Sequence, residues 1–182
     1  MKNWKTHSRK TILDCGKFLK VEAHHVEFDD GTTIQEWPWV IAPDYINVVV
    51  QREQGDFLIY HQSKYAIEGE SLAIVGGYLE PGEDPLDAAK RELLEETGYT
   101  AAKWIPLGAY AVDANRGFAT AHLYLATGAR SVQAPDADDL ETYEMTTLSK
   151  EELVEAFKTG RFKVMAWATA VGIALAHLEI EN

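Results

Sequence analysis

Residues 77–99 read GYLEPGEDPLDAAKRELLEETGY. Asp84 carries the oxygen of an N-cap, Pro85 suits the first helical turn, and Gly98 suits the position just past a helix end. The stretch predicts a helix from Pro85 to about Thr97, entered from a polar loop. On that helix Glu92, Glu95 and Glu96 fall at i, i+3 and i+4, so three carboxylates crowd one face. Their charges repel, and a helix gains nothing from stacking them. A hard divalent cation relieves the repulsion, because carboxylate oxygens are what Mg²⁺ accepts, commonly alongside substrate phosphates. Gly76 and Gly77 allow a tight turn just before this loop and leave backbone carbonyls available as further oxygen ligands. Arg91 lies beside the acidic face, where it can pair with Glu83 and brace the loop against the helix. Taken alone, the string RELLEE is also what a solvated, charged helix face looks like.

Outward from this helix the chain alternates between strands and turns. Residues 72–75 form a short apolar run consistent with a strand. Residues 46–51 and 57–61, separated by the turn Glu53-Gln54-Gly55-Asp56, read as a hairpin with a largely buried first strand. Residues 18–28 and 32–39 flank Asp30-Gly31, a hairpin signal. Pro38 and Pro43 interrupt that pattern and place a boundary near Ala42, giving an N-terminal strand unit over 1–42 and a main domain over 43–182. Downstream, 104–112 and 120–126 read as strands and 133–144 as an acidic loop. Ser149 with Glu152 makes a capping-box pattern for a helix that stops at Gly160. The last helix, from about Val164, is apolar around much of its circumference and is expected to pack inside. Strands mixed with three helices imply a layered α/β or α+β domain.

Composition removes several function classes. At 182 residues, 46% apolar and 25% charged, the chain has the material for one compact core and is not of disordered type. Its net charge of −12 argues against a nucleic-acid partner, which needs a positive footprint. Cys15 stands alone, which excludes an internal disulfide and an all-cysteine metal site. The opening MKNWKTHSRK lacks the apolar stretch of a signal peptide, and residues 164–178 fall short of the ~20 needed to span a bilayer. A cytoplasmic protein with no membrane partner is expected.

Residues 77–99 resemble the Nudix box, Gly-x5-Glu-x7-Arg-Glu-U-x-Glu-Glu-x-Gly-U, where U is a bulky aliphatic residue. Gly77, Glu83, Arg91, Glu92, Leu93, Glu95, Glu96 and Gly98 match at the required offsets, and Tyr99 replaces the last aliphatic residue. Seven fixed letters, each at roughly 6% usage, match by chance about once in a million such chains. The resemblance implies a Nudix-type α/β/α sandwich with a mixed sheet, preceded by a small N-terminal β-strand unit. It implies a hydrolase of nucleoside diphosphate derivatives using Mg²⁺ or Mn²⁺. Carried over by position, Glu92 and Glu96 are the principal metal ligands, Glu95 a supporting one and the Gly76 carbonyl a backbone ligand, with Arg91 part of the catalytic set.

Within that superfamily the chain is similar to the ADP-ribose and ADP-sugar pyrophosphatases. That similarity implies a homodimer built through the N-terminal unit, with Phe18 and Trp37 from different subunits clamping the adenine. It places Lys64, in Tyr60-His61-Gln62-Ser63-Lys64-Tyr65, where the group has a substrate-facing arginine. It places Glu141, in the late acidic loop, as general base or extra metal ligand, with Asp139 and Glu144 as neighbours able to substitute. Arg116, in a glycine-containing loop, either contacts phosphate or caps a turn. The chain departs from the group at Ala42, Ala73 and Ala114, where Arg, Glu and Pro are usual. Alternative substrates are GDP-sugars, NADH and nucleoside triphosphates. An alternative of another class is a nucleotide-sugar-sensing module without turnover; the box, with all its carboxylates, favours catalysis. His24 and His25 are neighbours on a strand and point to opposite faces, so they do not share a metal.

Overall fold

A computed structural model describes residues 4–136 and 143–180. Two compact units divide them: the first takes residues up to 44 together with 110–120, the second 45–109 and 121 onward.

The first unit is a three-stranded antiparallel sheet in the order β1-β2-β3, with β1 at Lys5–Asp14, β2 at Lys20–Glu27 and β3 at Thr33–Ile41. The Asp30-Gly31 turn forms as read, with Asp30 Oδ1 accepting the Thr32 N–H at 2.9 Å. Pro38 does not end its strand. It lies at the sheet edge, in phase with Val40 and Ala42, whose N–H groups point away from β2 to the carbonyls of Arg116 and Phe118. A proline in that row therefore costs no bond to β2. His24 and Val26 are buried on one face of the sheet. His24 bonds Glu22 at 2.9 Å, whereas His25 bonds Gln35 at 3.2 Å, as expected of neighbours on opposite faces.

The second unit carries a mixed sheet. Its strands are β4 (Tyr45–Arg52), β5 (Phe57–Ser63), β6 (Glu70–Ala73), β7 (Val75–Tyr78), β8 (Tyr99–Thr100), β9 (Lys103–Ala111), β10 (Thr120–Ser131) and β11 (Tyr143–Leu148). The order is β11-β5-β4-β10-β8, with β6 on β5, β7 on β4 and β9 on β10. The β4–β10 pair is parallel. Ile46 to Val50 are all buried; successive residues face opposite ways, so both faces of β4 are covered. Helices α1 (Pro85–Thr97) and α3 (Met165–Ile180) both pack on β4, while α2 (Lys150–Lys158) opens on the Ser149–Glu152 capping box.

Two sequence expectations change here. The run at 72–75 is not one strand: β6 pairs with β5 as far as Ala73, and from Val75 the chain pairs with β4. That transfer delivers Gly76 and Gly77 opposite Asn47 and Ile46, on the central strand. The acidic stretch does not run as loop through Glu144, which lies in β11 opposite His61. Asp138, Asp139 and Glu141 lie outside the described residues.

Helix α1 has the ends its sequence implies. Asp84 Oδ1 accepts the Leu86 N–H at 2.9 Å, and Gly98 leaves the helix at φ +72° with its N–H on the Leu94 carbonyl. Ala88, Ala89 and Leu93 are buried against the sheet, with Glu92 and Glu96 at the margin of that face and Glu95 exposed. Among the described residues no helix is long and apolar enough to cross a membrane.

A Cβ at residue 98 would meet the Gln133 carbonyl oxygen at 2.1 Å, in a left-handed conformation that side chains disfavour. Gly98→Ala is expected to lower unfolding stability by at least ~1 kcal/mol, measured by urea titration. An unchanged midpoint would show that the exit turn is not under this constraint.

Candidate active site

The site grows from the loop between β7 and α1. Arg91 donates from Nε to Glu83 Oε1 at 2.9 Å and from Nη2 to Glu83 Oε2 at 3.0 Å, a bidentate fork. Nη2 also reaches the Tyr78 carbonyl at 3.3 Å, and Glu83 accepts the Glu80 N–H at 2.9 Å. The loop is thus tied to the helix at both ends. The pairing holds the Glu83 carboxyl down to about 2.

The third guanidinium nitrogen turns to the acidic face. Arg91 Nη1 donates to Glu92 Oε1 at 2.8 Å and to Glu95 Oε2 at 3.1 Å. Glu92 is well covered, its side chain 15% exposed, whereas Glu95 is half exposed at 49%. Burial pushes the Glu92 carboxyl above the usual carboxylate range, against the pull of Arg91. A Cβ on Gly77 would lie 2.1 Å from the Glu92 carboxyl carbon, so only glycine lets the helix seat that carboxylate against β7. Glu96 Oε2 accepts a hydrogen bond from the Tyr60 hydroxyl at 3.3 Å. Tyr60 stands 36 positions upstream, and nothing in the box spacing points to it.

Among the described residues, no three His, Cys, Asp or Glu side chains converge as a metal cage by themselves. The oxygens of Glu92 and Glu95 are engaged by Arg91 instead.

The other expected site residues lie elsewhere. Lys64 sits in the turn after β5, its carbonyl accepting the Ile67 N–H at 2.9 Å. In the first unit, Phe18 is 68% exposed in the turn between β1 and β2, with the Lys17 ammonium 5.3 Å over its ring. Trp37 stands opposite His24, whereas the strand end next to Phe18 pairs Lys20 with Ile41; the two aromatics are not neighbours within one chain. Trp37 Nε1 donates to the Asn115 carbonyl at 2.8 Å, and its ring meets Trp4 edge-on at 5.1 Å. It lines a pocket of about 300 Å³ with Trp4, Trp39, His24, Arg9 and Asn115. Arg116 Nη1 donates to Asp113 Oδ2 at 3.1 Å, and its backbone N–H donates to Asp113 Oδ1 at 3.0 Å.

The NUDIX domain family model matches residues 42–168. The chain belongs to the NUDIX family. A CMP-5'-(N-acetyl-N-hydroxy-3-aminopropyl)phosphonate hydrolase of Streptomyces rubellomurinus is 30% identical over 93% of this chain and 80% of that protein. A methanol dehydrogenase activator of Bacillus methanolicus is 27% identical over 98% and 96%. An ADP-ribose pyrophosphatase of Bacillus subtilis is 29% identical over 84% and 83%. A crystal structure of an ADP compounds hydrolase superposes with a TM-score of 0.84 at 17% identity, covering 100% of this chain and 97% of that one, which establishes the shared fold. The protein is a Nudix hydrolase, and its coarse activity is hydrolysis of a nucleotide derivative.

The Glu83 pairing has a pH signature. Its folded carboxyl titrates near 2, below the ordinary value of 4.5, so the pairing stabilises the fold fully above about pH 4.5 and is lost as pH falls toward 2. The melting temperature of Glu83→Gln should lie below that of the unsubstituted protein at pH 7. The gap should narrow from pH 5 to pH 3, and a constant gap over that range would contradict the assignment.

Proposed function

We propose that this Nudix hydrolase is a metal-dependent pyrophosphatase acting on ADP-ribose or another ADP-sugar. The observation that carries the reading is the oxygen-only face of α1. Glu92 is pressed against Gly77, Glu95 shares Arg91 with it, and Glu96 is met by Tyr60. Such a donor set fits a hard divalent cation, which needs few carboxylates when substrate phosphates and waters complete its shell. Glu92, Glu96, Glu95 and the Gly76 carbonyl would hold Mg²⁺ or Mn²⁺, which supplies charge neutralisation at the diphosphate and acidifies a water.

Water adds to one phosphorus, the anhydride P–O bond breaks, and AMP and a sugar phosphate leave. Arg91 keeps the loop and helix in register, and its bond to Glu92 must yield when a cation binds. Glu141 takes the proton of the attacking water, since the box carboxylates must remain ionised to hold cations. Lys64 and Arg116 contact phosphate, Arg116 after leaving Asp113. Phe18 and Trp37 stack on the base from two subunits of a homodimer formed through residues 1–42, in a cytoplasmic setting. The tryptophan-lined pocket around Trp37 supports base stacking there.

The ADP-ribose pyrophosphatase of Bacillus subtilis favours the ADP-sugar, whereas the Streptomyces relative favours a CMP-linked phosphonate as second reading. A substrate panel with Mg²⁺, scored by the nucleotide released, separates them. AMP from ADP-ribose or ADP-glucose supports the first reading, and activity confined to CMP, GDP-mannose, NADH or triphosphate substrates redirects it. In the same assay a chelator should abolish turnover. Glu96→Gln should reduce turnover by orders of magnitude with the fold intact, and Glu141→Gln should cut kcat by ~10²–10⁴ with little change in substrate affinity. Full kcat in folded Glu141→Gln would move the base to the box, to Glu95 first. Light scattering at micromolar concentration should give the mass of a dimer; a monomer would leave the two-subunit clamp without its second half.

A further inference from the structure

We propose that Tyr60, outside the box, is a positioning residue that orients Glu96 toward the bound cation. The inference rests on the reading of the α1 carboxylates as a cation site. Tyr60 lies on β5 opposite Ala73 of β6 and Met145 of β11, and is 4% exposed. At that depth a phenylalanine would fill nearly the same volume, and a buried hydroxyl is favourable only with a partner. That hydroxyl donates to a carboxylate of the acidic face, Glu96 Oε2 at 3.3 Å.

The division of labour on that face is what assigns the role. Arg91 takes Glu83, Glu92 and Glu95 with a positive charge. Glu96 falls in the last turn of α1, which carries no basic residue, and where the unpaired helix carbonyls disfavour a carboxylate. A neutral hydroxyl donor there fixes one oxygen without cancelling the charge that a cation requires. The donor also comes from the sheet, so the carboxylate is held by a strand packed in the core rather than by the end of its own helix. Groups that orient metal ligands in this way commonly change metal affinity by ~10–100-fold when removed.

The test is Mn²⁺ binding to the full-length, substrate-free protein, read by the electron paramagnetic resonance of free Mn²⁺, beside metal-free melting curves. Tyr60→Phe removes one oxygen atom and should weaken Mn²⁺ binding ~10-fold with a metal-free melting temperature close to that of the unsubstituted protein. Glu96→Gln should weaken it further, and adding Tyr60→Phe to Glu96→Gln should change nothing more, because the hydroxyl then has no ligand to orient. Unchanged Mn²⁺ affinity in folded Tyr60→Phe overturns the proposal, as does a loss that is undiminished in the Glu96→Gln background. If the unsubstituted protein binds no Mn²⁺, the cation-site reading itself falls and takes this inference with it.

Discussion

Three carboxylates on one helical face repel one another, and a single guanidinium binds two of them, Glu92 and Glu95. Arg91 uses one edge to grip Glu83 in the loop and its remaining nitrogen to draw in Glu92 and Glu95. The loop after β7 is thereby fixed to α1, and α1 is fixed by Leu93 and its alanines to a sheet buried on both faces. Arg91 carries one positive charge against the three carboxylates it contacts, so it offsets only part of the charge gathered there.

Around that constraint the backbone has little freedom. The transfer of the chain from β5 to β4 at residue 74 brings two glycines onto the central strand, and the missing side chain at Gly77 is the space Glu92 occupies. Gly98 ends the helix where a Cβ would strike the Gln133 carbonyl. Box residues that look alike in sequence therefore do different work. Gly77 admits a carboxylate, Gly98 admits a neighbouring backbone, Glu83 is a structural anion, and Glu96 answers to a tyrosine.

The legibility of the sequence followed the range of the interaction. The Asp84 cap, the Gly98 exit, the Ser149–Glu152 box and the Glu83–Arg91 pairing depend on spacings within one helix or one loop, and all are present as read. Pro38 was misleading because proline breaks a central strand yet is harmless on an outward-facing edge position, and position in a sheet is not written in a local pattern. The strands β1 and β11 also escaped the pattern. β1 is exposed along its whole length, so it lacks the alternation by which a half-buried strand is recognised.

By itself the sequence determined the helix, its ends and the acidic face, because helical geometry converts spacings of three and four into neighbours. Only the tertiary structure decided that β4 runs parallel to β10, that Trp37 shares a pocket with Trp4, and that Tyr60 meets Glu96. Those contacts join segments whose separation along the chain follows no period. They exist because each sheet lays distant segments of the chain side by side, and that is a property of the assembled sheet.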